Sequence, residues 1–63
     1  MERSYDIFEV MPDGSKIWRA AAVGHENAII ELKKLATRTK NEVLLMHLET
    51  KAVIAIMNNP TPK

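Results

Sequence analysis

Cysteine is absent from this chain of 63 residues, which excludes disulfides and every thiolate metal site. The two histidines, His25 and His47, are too few for a structural zinc site unless carboxylates or a second chain contribute ligands. The two glycines, Gly14 and Gly24, do not form a phosphate-binding loop, and the acidic residues lack the spacing of a calcium loop. We therefore expect no metal and no cofactor.

An excess of charge of one sign and long apolar segments are also missing. Nine basic and eight acidic side chains give a net charge of +1, far from that of a dedicated nucleic-acid binder. The longest apolar runs fall far short of the ~18 residues that cross a membrane. Residues 1–4 carry no apolar signal-peptide segment. The expectation is a cytoplasmic protein with no membrane association.

Catalytic equipment is not evident either. No serine, histidine and carboxylate are placed in a pattern that indicates a catalytic triad. A chain this short buries only about 60% of the surface that its unfolded form exposes, so its own core gives marginal stability. With disulfides and metals set aside, oligomerisation is the remaining common supplement. We expect a non-enzymatic protein that associates with itself.

The first two thirds of the chain show a clear order of elements. Aromatic and β-branched residues at 5–11 predict a strand, and the Pro-Asp-Gly-Ser sequence at 12–15 predicts a tight turn. Residues 16–23 then form the returning strand. From residue 25 to about residue 38 the apolar positions repeat at helical spacing, which predicts a helix whose core stripe is Ala28, Ile29, Leu32, Leu35 and Ala36.

Residues 41–57 allow two interpretations. Two apolar runs, 43–48 and 52–57, flank Glu49-Thr50-Lys51 and form a second hairpin if both are strands. As a helix, the same segment also aligns apolar residues on one face, and periodicity alone does not separate the two. The β-branched Val53, Ile54 and Ile56 favour strands. The predicted fold is α+β: an antiparallel sheet of two β-hairpins with one intervening helix packed on one face (ββαββ), spanning 1–57 and followed by a disordered tail at 58–63.

This order of motifs resembles a family of small uncharacterised bacterial proteins built as strand, strand, helix, strand, strand. The residues that carry the resemblance are Tyr5, Ile7, Phe8, the turn at 12–15, Trp18, Glu26, Ala28 and the Leu35-Ala36 pair. The resemblance implies the second hairpin and implies no activity. The chain departs from the family pattern at Lys51, where glycine is expected, and at Gly24, where threonine, serine or aspartate is common.

Both faces of the predicted sheet are apolar, because alternate side chains of a strand point in opposite directions. One short helix covers only one face, so a second face needs another cover. A homodimer packed sheet against sheet is the simplest arrangement, and a different protein partner is the alternative. The pattern does not decide which face the helix takes. The predicted dimer interface consists of Leu44, Met46, Leu48, Ile54 and Ile56.

The alternative function is a small DNA-binding or antitoxin-like regulator that uses the strand with Lys16, Trp18 and Arg19. Three-stranded sheets with a packed helix read DNA in plant ethylene-response domains and in integrase arm-binding domains, to which this chain is loosely similar. Basic and aromatic side chains on one strand suit insertion into the major groove. Against this, the strand has only two basic residues, and a strand tryptophan more often packs at a core edge or interface.

Overall fold

The computed structural model describes residues 3–58. Its elements are β1 (Ser4–Val10), β2 (Lys16–Val23), α1 (His25–Arg38), β3 (Glu42–His47) and β4 (Val53–Met57). All neighbouring strands are antiparallel, and their order in the single sheet is β2-β1-β3-β4. The predicted ββαββ fold is confirmed, and residues 42–57 form a hairpin rather than a helix. Of the predicted tail, only Asn58 lies within the described residues.

The helix covers one face of the sheet. The odd-numbered residues of β1 and β3 pack beneath it, with Ile7, Val43 and Leu45 fully buried against Ala28 and Leu32. The outer strand β2 contributes the small side chains of Ala20 and Ala22 on this face. The other partly buried side chains packed against the core are Ile29, Leu35, Ala36, Ala55 and Met57. Alanine is a poor strand former, but a small side chain lets the helix approach the sheet. The helix contacts β4 least.

The first hairpin turns as its sequence predicts. The Gly14 N–H donates to Met11 O at 2.8 Å, which places Pro12 at the turn position where its fixed φ fits. Asp13 Oδ1 accepts from the Ser15 N–H at 2.9 Å and from the Ser15 hydroxyl at 2.7 Å. These bonds lower the pKa of the Asp13 carboxyl. Gly14 has φ +92°, a conformation that few other residues adopt.

The turn of the second hairpin places a non-glycine residue in an unfavourable backbone conformation. The Lys51 N–H donates to His47 O at 2.9 Å, and the His47 N–H donates to Ala52 O at 2.8 Å. Lys51 has φ +62°, in the left-handed region that disfavours a Cβ. The backbone of this turn has the conformation that glycine adopts readily, although the residue is lysine.

Hydrogen bonds to backbone groups fix both ends of the helix. Gly24 precedes it with φ +91° and ψ +138°, its N–H donates to Arg3 O at 2.8 Å, and it offers no side-chain cap. A serine or threonine would supply the missing cap but would resist this φ. At the other end Asn58 Nδ2 donates to Ala36 O at 2.8 Å and to Thr39 O at 2.9 Å. The last strand is thereby tied to the end of the helix.

Two bulges modify the strand alternation. In β2 the register shifts between the partners of Ile7 and Phe8, which leaves Arg19 as an extra residue. In β4 the shift leaves Ile54 extra, so that Val53 pairs with Met46 instead of alternating regularly. Regular alternation would place Val53 on the same face as Ala55 and Met57, but Val53 lies on the face away from the helix. Simple alternation fails because the bulge inserts one residue.

Candidate functional site

The face of the sheet that the helix does not cover, called here the open face, carries the even-numbered residues of β1 and β3. Register pairs Trp18 with Phe8, Phe8 with Leu44, and Leu44 with Ile56. These four side chains form one continuous apolar row across all four strands. At a strand spacing of about 4.8 Å, the row is roughly 14 Å long. Pattern reasoning found its members separately but not the row, because the register was unknown.

Exposure along the apolar row is uneven. Trp18 on the outer strand β2 is 55% exposed and Ile56 on the outer strand β4 is 47% exposed. Leu44, which lies between Phe8 and Ile56, is only 6% exposed. The ends of the row are thus open to solvent, whereas its middle is already shielded by the neighbouring side chains.

Two further rows flank the apolar row. On the side of the first turn lie Lys16, Val10 and Glu42, and on the other side lie Ala21, Asp6, Met46 and Val53. Ile54 at the bulge also lies on this face, since its neighbour Ala55 packs under the helix. The open face is apolar at its centre, with one lysine and one glutamate at one end and a single aspartate at the other.

Asp6 lies within this apolar surface and is half-buried. The Trp18 indole Nε1–H donates to Asp6 Oδ1 at 3.2 Å across neighbouring strands. The carboxylate keeps unused acceptor positions, since an ionised carboxylate offers about four. A ligand or partner that covers the open face has to supply a donor or a cation to Asp6, because an unpaired buried charge is costly.

The structure places all five predicted interface residues on the open face or at its end. Leu44, Met46, Ile54 and Ile56 point away from the helix by register and alternation. Leu48 follows β3, and its N–H donates to Ser4 O at 3.0 Å, so it extends the same face beyond the last row. Leu44 is the least available of the five, being buried within the subunit.

The two basic residues predicted to contact nucleic acid lie on different faces of the sheet. Lys16 and Trp18 lie on the open face, but Arg19 is the bulge residue and turns to the helix side. There its Nε–H donates to Glu9 Oε1 at 2.8 Å as an ion pair. The nearest charged groups to Lys16 and Trp18 on the open face are the carboxylates of Glu42 and Asp6. The arrangement offers little positive potential to a phosphate backbone.

Glu9 holds a polar network that the sequence did not predict. Its side chain is 4% exposed, and Oε2 accepts from the Thr39 hydroxyl and from Asn41 Nδ2, both at 2.7 Å. These two bonds and then Arg19 lower the pKa of the Glu9 carboxyl against the opposing effect of burial. The network joins β1 and β2 to the connection between α1 and β3. It is internal and fully satisfied, which indicates a structural role.

A second candidate site is an open cleft of about 520 Å³ at the start of the helix, lined in part by Arg3, Tyr5 and His25. Tyr5 makes edge-to-face contacts with the rings of His25 and His47, at centroid distances of 6.1 and 5.5 Å. His47 is buried, as expected for a hydrogen-bonded core histidine. Its Nε2 lies 3.2 Å from Arg3 Nη1, and its Nδ1 lies 3.4 Å from the Thr50 N–H, which donates to it, and 3.4 Å from the Thr50 hydroxyl. The contacts with neighbouring side chains fix both histidine rings within the fold, which indicates a structural role.

Within residues 3–58 no group of three or more His, Asp or Glu side chains is arranged to hold a metal ion. The single helix of this part of the chain is neither long nor apolar enough to span a membrane. Comparison with family models, with curated proteins and with solved structures finds no match to this chain. The open face is therefore the strongest candidate site in residues 3–58.

Proposed function

We propose that this chain is a small non-enzymatic interaction module that forms a homodimer by packing the open face of one copy against that of a second. The observation that supports the proposal best is the apolar row, which crosses the whole sheet and has solvent-exposed ends at Trp18 and Ile56. A contiguous apolar surface of this kind on a small domain is typical of an interaction site.

Both edges of the sheet favour packing by the face over pairing by the edge. Pairing of outer strands from two copies needs a regular ladder of free N–H and C=O groups. The outer strand β2 is interrupted at Arg19, and the outer strand β4 is interrupted at Ile54. Bulges in outer strands are a recognised means of preventing edge-to-edge association.

The size of the open face indicates a weak dimer. Four strands at about 4.8 Å and some six residues at about 3.3 Å give a footprint of roughly 20 by 20 Å. Two such footprints amount to about 800 Å² before the uneven surface of the side chains is counted, which is below the roughly 1,200 Å² of a stable specific interface and in the range of weak, transient ones. We expect a dissociation constant on the order of micromolar, corresponding to about 8 kcal/mol.

Light scattering after size exclusion, run over a range from low to several hundred micromolar, tests the proposal. The expected result is a mass that rises from one chain to two with concentration. Ile56→Glu should abolish the dimer, because a charge would be buried at the end of the apolar row. Ile30→Glu is the matched control: Ile30 is 50% exposed, similar to Ile56, but lies on the outer surface of the helix.

The two variants separate the possible outcomes. Circular dichroism should show that both fold, since both positions are about half exposed. A monomer at every concentration for the unmodified chain would contradict the proposal. Equal loss of the dimer in Ile30→Glu and Ile56→Glu would place the interface elsewhere.

The DNA-binding alternative has less support. Arg19 is paired with Glu9, and carboxylates accompany Lys16 and Trp18 on the same face. Retention of the chain on duplex DNA with a steep dependence on salt concentration would revive it, because phosphate contacts release counterions. We expect no such retention.

A further inference from the structure

We infer that formation of the proposed homodimer is coupled to proton uptake by Asp6, so that the dimer becomes stronger as the solution becomes mildly acidic. This regulation of the open face rests on the proposed function. It follows from the positions of the charged side chains on that face, and it holds whichever way the two copies are turned.

Asp6 lies in the interior of the open face. It belongs to the inner strand β1, between Ala21 and Met46 on the neighbouring strands. Along the strand, the apolar row lies on one side of Asp6, and Ser4, which pairs with Val23, continues the face on the other side. A second copy that covers the apolar row therefore also covers Asp6.

Within residues 3–58 no basic side chain forms an ion pair with Asp6. Its hydrogen-bond donor is the Trp18 indole N–H, which is neutral. On the open face, Lys16 and Glu42 lie together beyond the apolar row. Glu49 and Lys51 are exposed in the turn between β3 and β4. The other titratable and charged side chains of the strands beside Asp6 belong to the helix side: Tyr5, Glu9, Arg19 and His47.

A second copy adds no net positive charge beside Asp6. Two sheets packed face to face leave two main directions for a two-fold axis in the plane between them. With the axis across the strands, Asp6 faces the partner's Val10, and its diagonal neighbours are the partner's Lys16 and Glu42, one of each sign. With the axis parallel to the strands, Asp6 faces the partner's Met46, and its charged neighbour is the partner's Asp6. The partner therefore contributes charges that cancel in one arrangement and a negative charge in the other.

Burial then decides the charge state of Asp6. A carboxylate that leaves water without a cation becomes neutral by taking up a proton, because only the charged form carries the large desolvation cost. The protonated carboxyl keeps a carbonyl oxygen that can still accept from the Trp18 indole N–H. In mildly acidic solution each copy therefore takes one proton from the solvent as the dimer forms.

The sign of the effect separates this coupling from general charge repulsion. The chain has a net charge of +1 at pH 7, and protonation in acid makes it more positive. Repulsion between two copies would then weaken the dimer, whereas proton uptake at Asp6 strengthens it. The lowered pKa of the Glu9 and Asp13 carboxyls keeps both ionised in mild acid, so the fold is retained there.

The dissociation constant measured by light scattering at pH 7.5 and at pH 5 tests the coupling. The unmodified chain should associate about tenfold more tightly at pH 5. Asp6→Asn should associate at least about tenfold more tightly than the unmodified chain at pH 7.5 and should show little pH dependence, because its amide is neutral throughout. Glu42→Gln is the matched control: it removes a carboxylate from the end of the same face and should leave the pH dependence in place.

Calorimetric dilution of the dimer at pH 5, in two buffers of different ionisation enthalpy, counts the protons directly. The unmodified chain should release protons as the dimer dissociates, and Asp6→Asn should release none. Circular dichroism of each variant shows whether it is folded. If Asp6→Asn does not fold, the proton count of the unmodified chain decides, and a count of zero would overturn the coupling.

The results distinguish a wrong coupling from a wrong dimer. A dimer whose dissociation constant does not change with pH would overturn the coupling and leave the homodimer standing. A pH dependence that persists in Asp6→Asn would do the same, since the protons would then bind elsewhere. A monomer at every concentration and at both pH values would remove the homodimer itself.

Discussion

The two faces of the sheet solve the problem of a small apolar core in different ways. The face under the helix is closed, and its carboxylate, Glu9, receives three hydrogen-bond donors from its own chain. The open face is equally apolar along its central row, but Asp6, one of its two carboxylates, receives only the Trp18 indole N–H. A face that is covered within the subunit satisfies the hydrogen bonds of its polar groups internally. A face that binds a partner leaves some of these hydrogen bonds to be made by the partner. The difference between Glu9 and Asp6 marks which face is which.

The largest expected effect is the loss of stability when a side chain buried under the helix is shortened, compared with one on the open face. Leu45 is fully buried under the helix, and Leu45→Ala should cost about 2–5 kcal/mol. A domain of this size rarely has more than about 3–5 kcal/mol of stability from its core, so the variant should be largely unfolded. Ile56→Ala on the open face should cost less than about 1 kcal/mol at concentrations where the chain is monomeric.

Urea unfolding monitored by circular dichroism measures both variants. If the two substitutions were equally costly in dilute solution, the open face would be part of the folding core. The distinction between the faces would then disappear.

The second prediction separates the faces by their carboxylates. Because its pKa is lowered in the folded chain, Glu9 stabilises the fold at neutral pH, and this contribution is lost as the pH falls through the lowered value. Glu9→Gln should therefore unfold at lower urea concentration at pH 7 and should show a smaller loss of stability on acidification. Asp6→Asn is the control on the open face and should leave the urea midpoint at pH 7 unchanged in dilute solution, since the amide oxygen can still accept from the Trp18 indole. The pKa of the Asp13 carboxyl is also lowered, so Asp13 adds to the loss of stability at acid pH in every variant.

The third prediction concerns how the helix is placed over its face. Gly24→Ser offers the side-chain cap that the helix lacks, worth about 1 kcal/mol, but forces a non-glycine residue to φ +91° at a cost of about 1–3 kcal/mol. We expect a net loss of about 1 kcal/mol in chemical unfolding. A gain in stability would mean that the backbone at this junction relaxes readily.

The smallest effect is expected in the turn between β3 and β4. Lys51→Gly removes the penalty of a left-handed lysine, about 1 kcal/mol or slightly more, and adds some chain entropy to the unfolded state. The expected net gain is about 0.5 kcal/mol, or about 2–4 °C in the midpoint of thermal unfolding. Lys51→Ala, which keeps the Cβ, is the control and should gain nothing.

Sequence reasoning predicted the elements and their order because turn chemistry, β-branched residues and helical spacing are local signals. The Pro-Asp-Gly-Ser turn, the core stripe of Ala28 and Leu32, and the β-branched residues of β4 are examples. The five residues predicted for a dimer interface lie on the open face or at its end, since alternation is local. The position of the helix over the odd-numbered residues was not, because both faces of β3 are apolar and the pattern is symmetric.

What escaped prediction depends on register and on long-range contacts. The bulges at Arg19 and Ile54 are set by pairing with β1 and β3, and they move Arg19 to Glu9 and Val53 to the open face. The Glu9 network joins residues 30 or more positions apart, so no local spacing reveals it. For the same reason the alignment of Trp18 with Ile56 across the sheet became visible only with the fold.

The interrupted outer strands have a consequence for how far assembly can proceed. Growth of β-rich aggregates needs a template that each added copy renews at its far side. The bulges at Arg19 and Ile54 break that template on both flanks, and stacking by one face consumes that face in the first encounter. Self-association of this chain would therefore stop at a closed pair, without fibrils, even at high concentration.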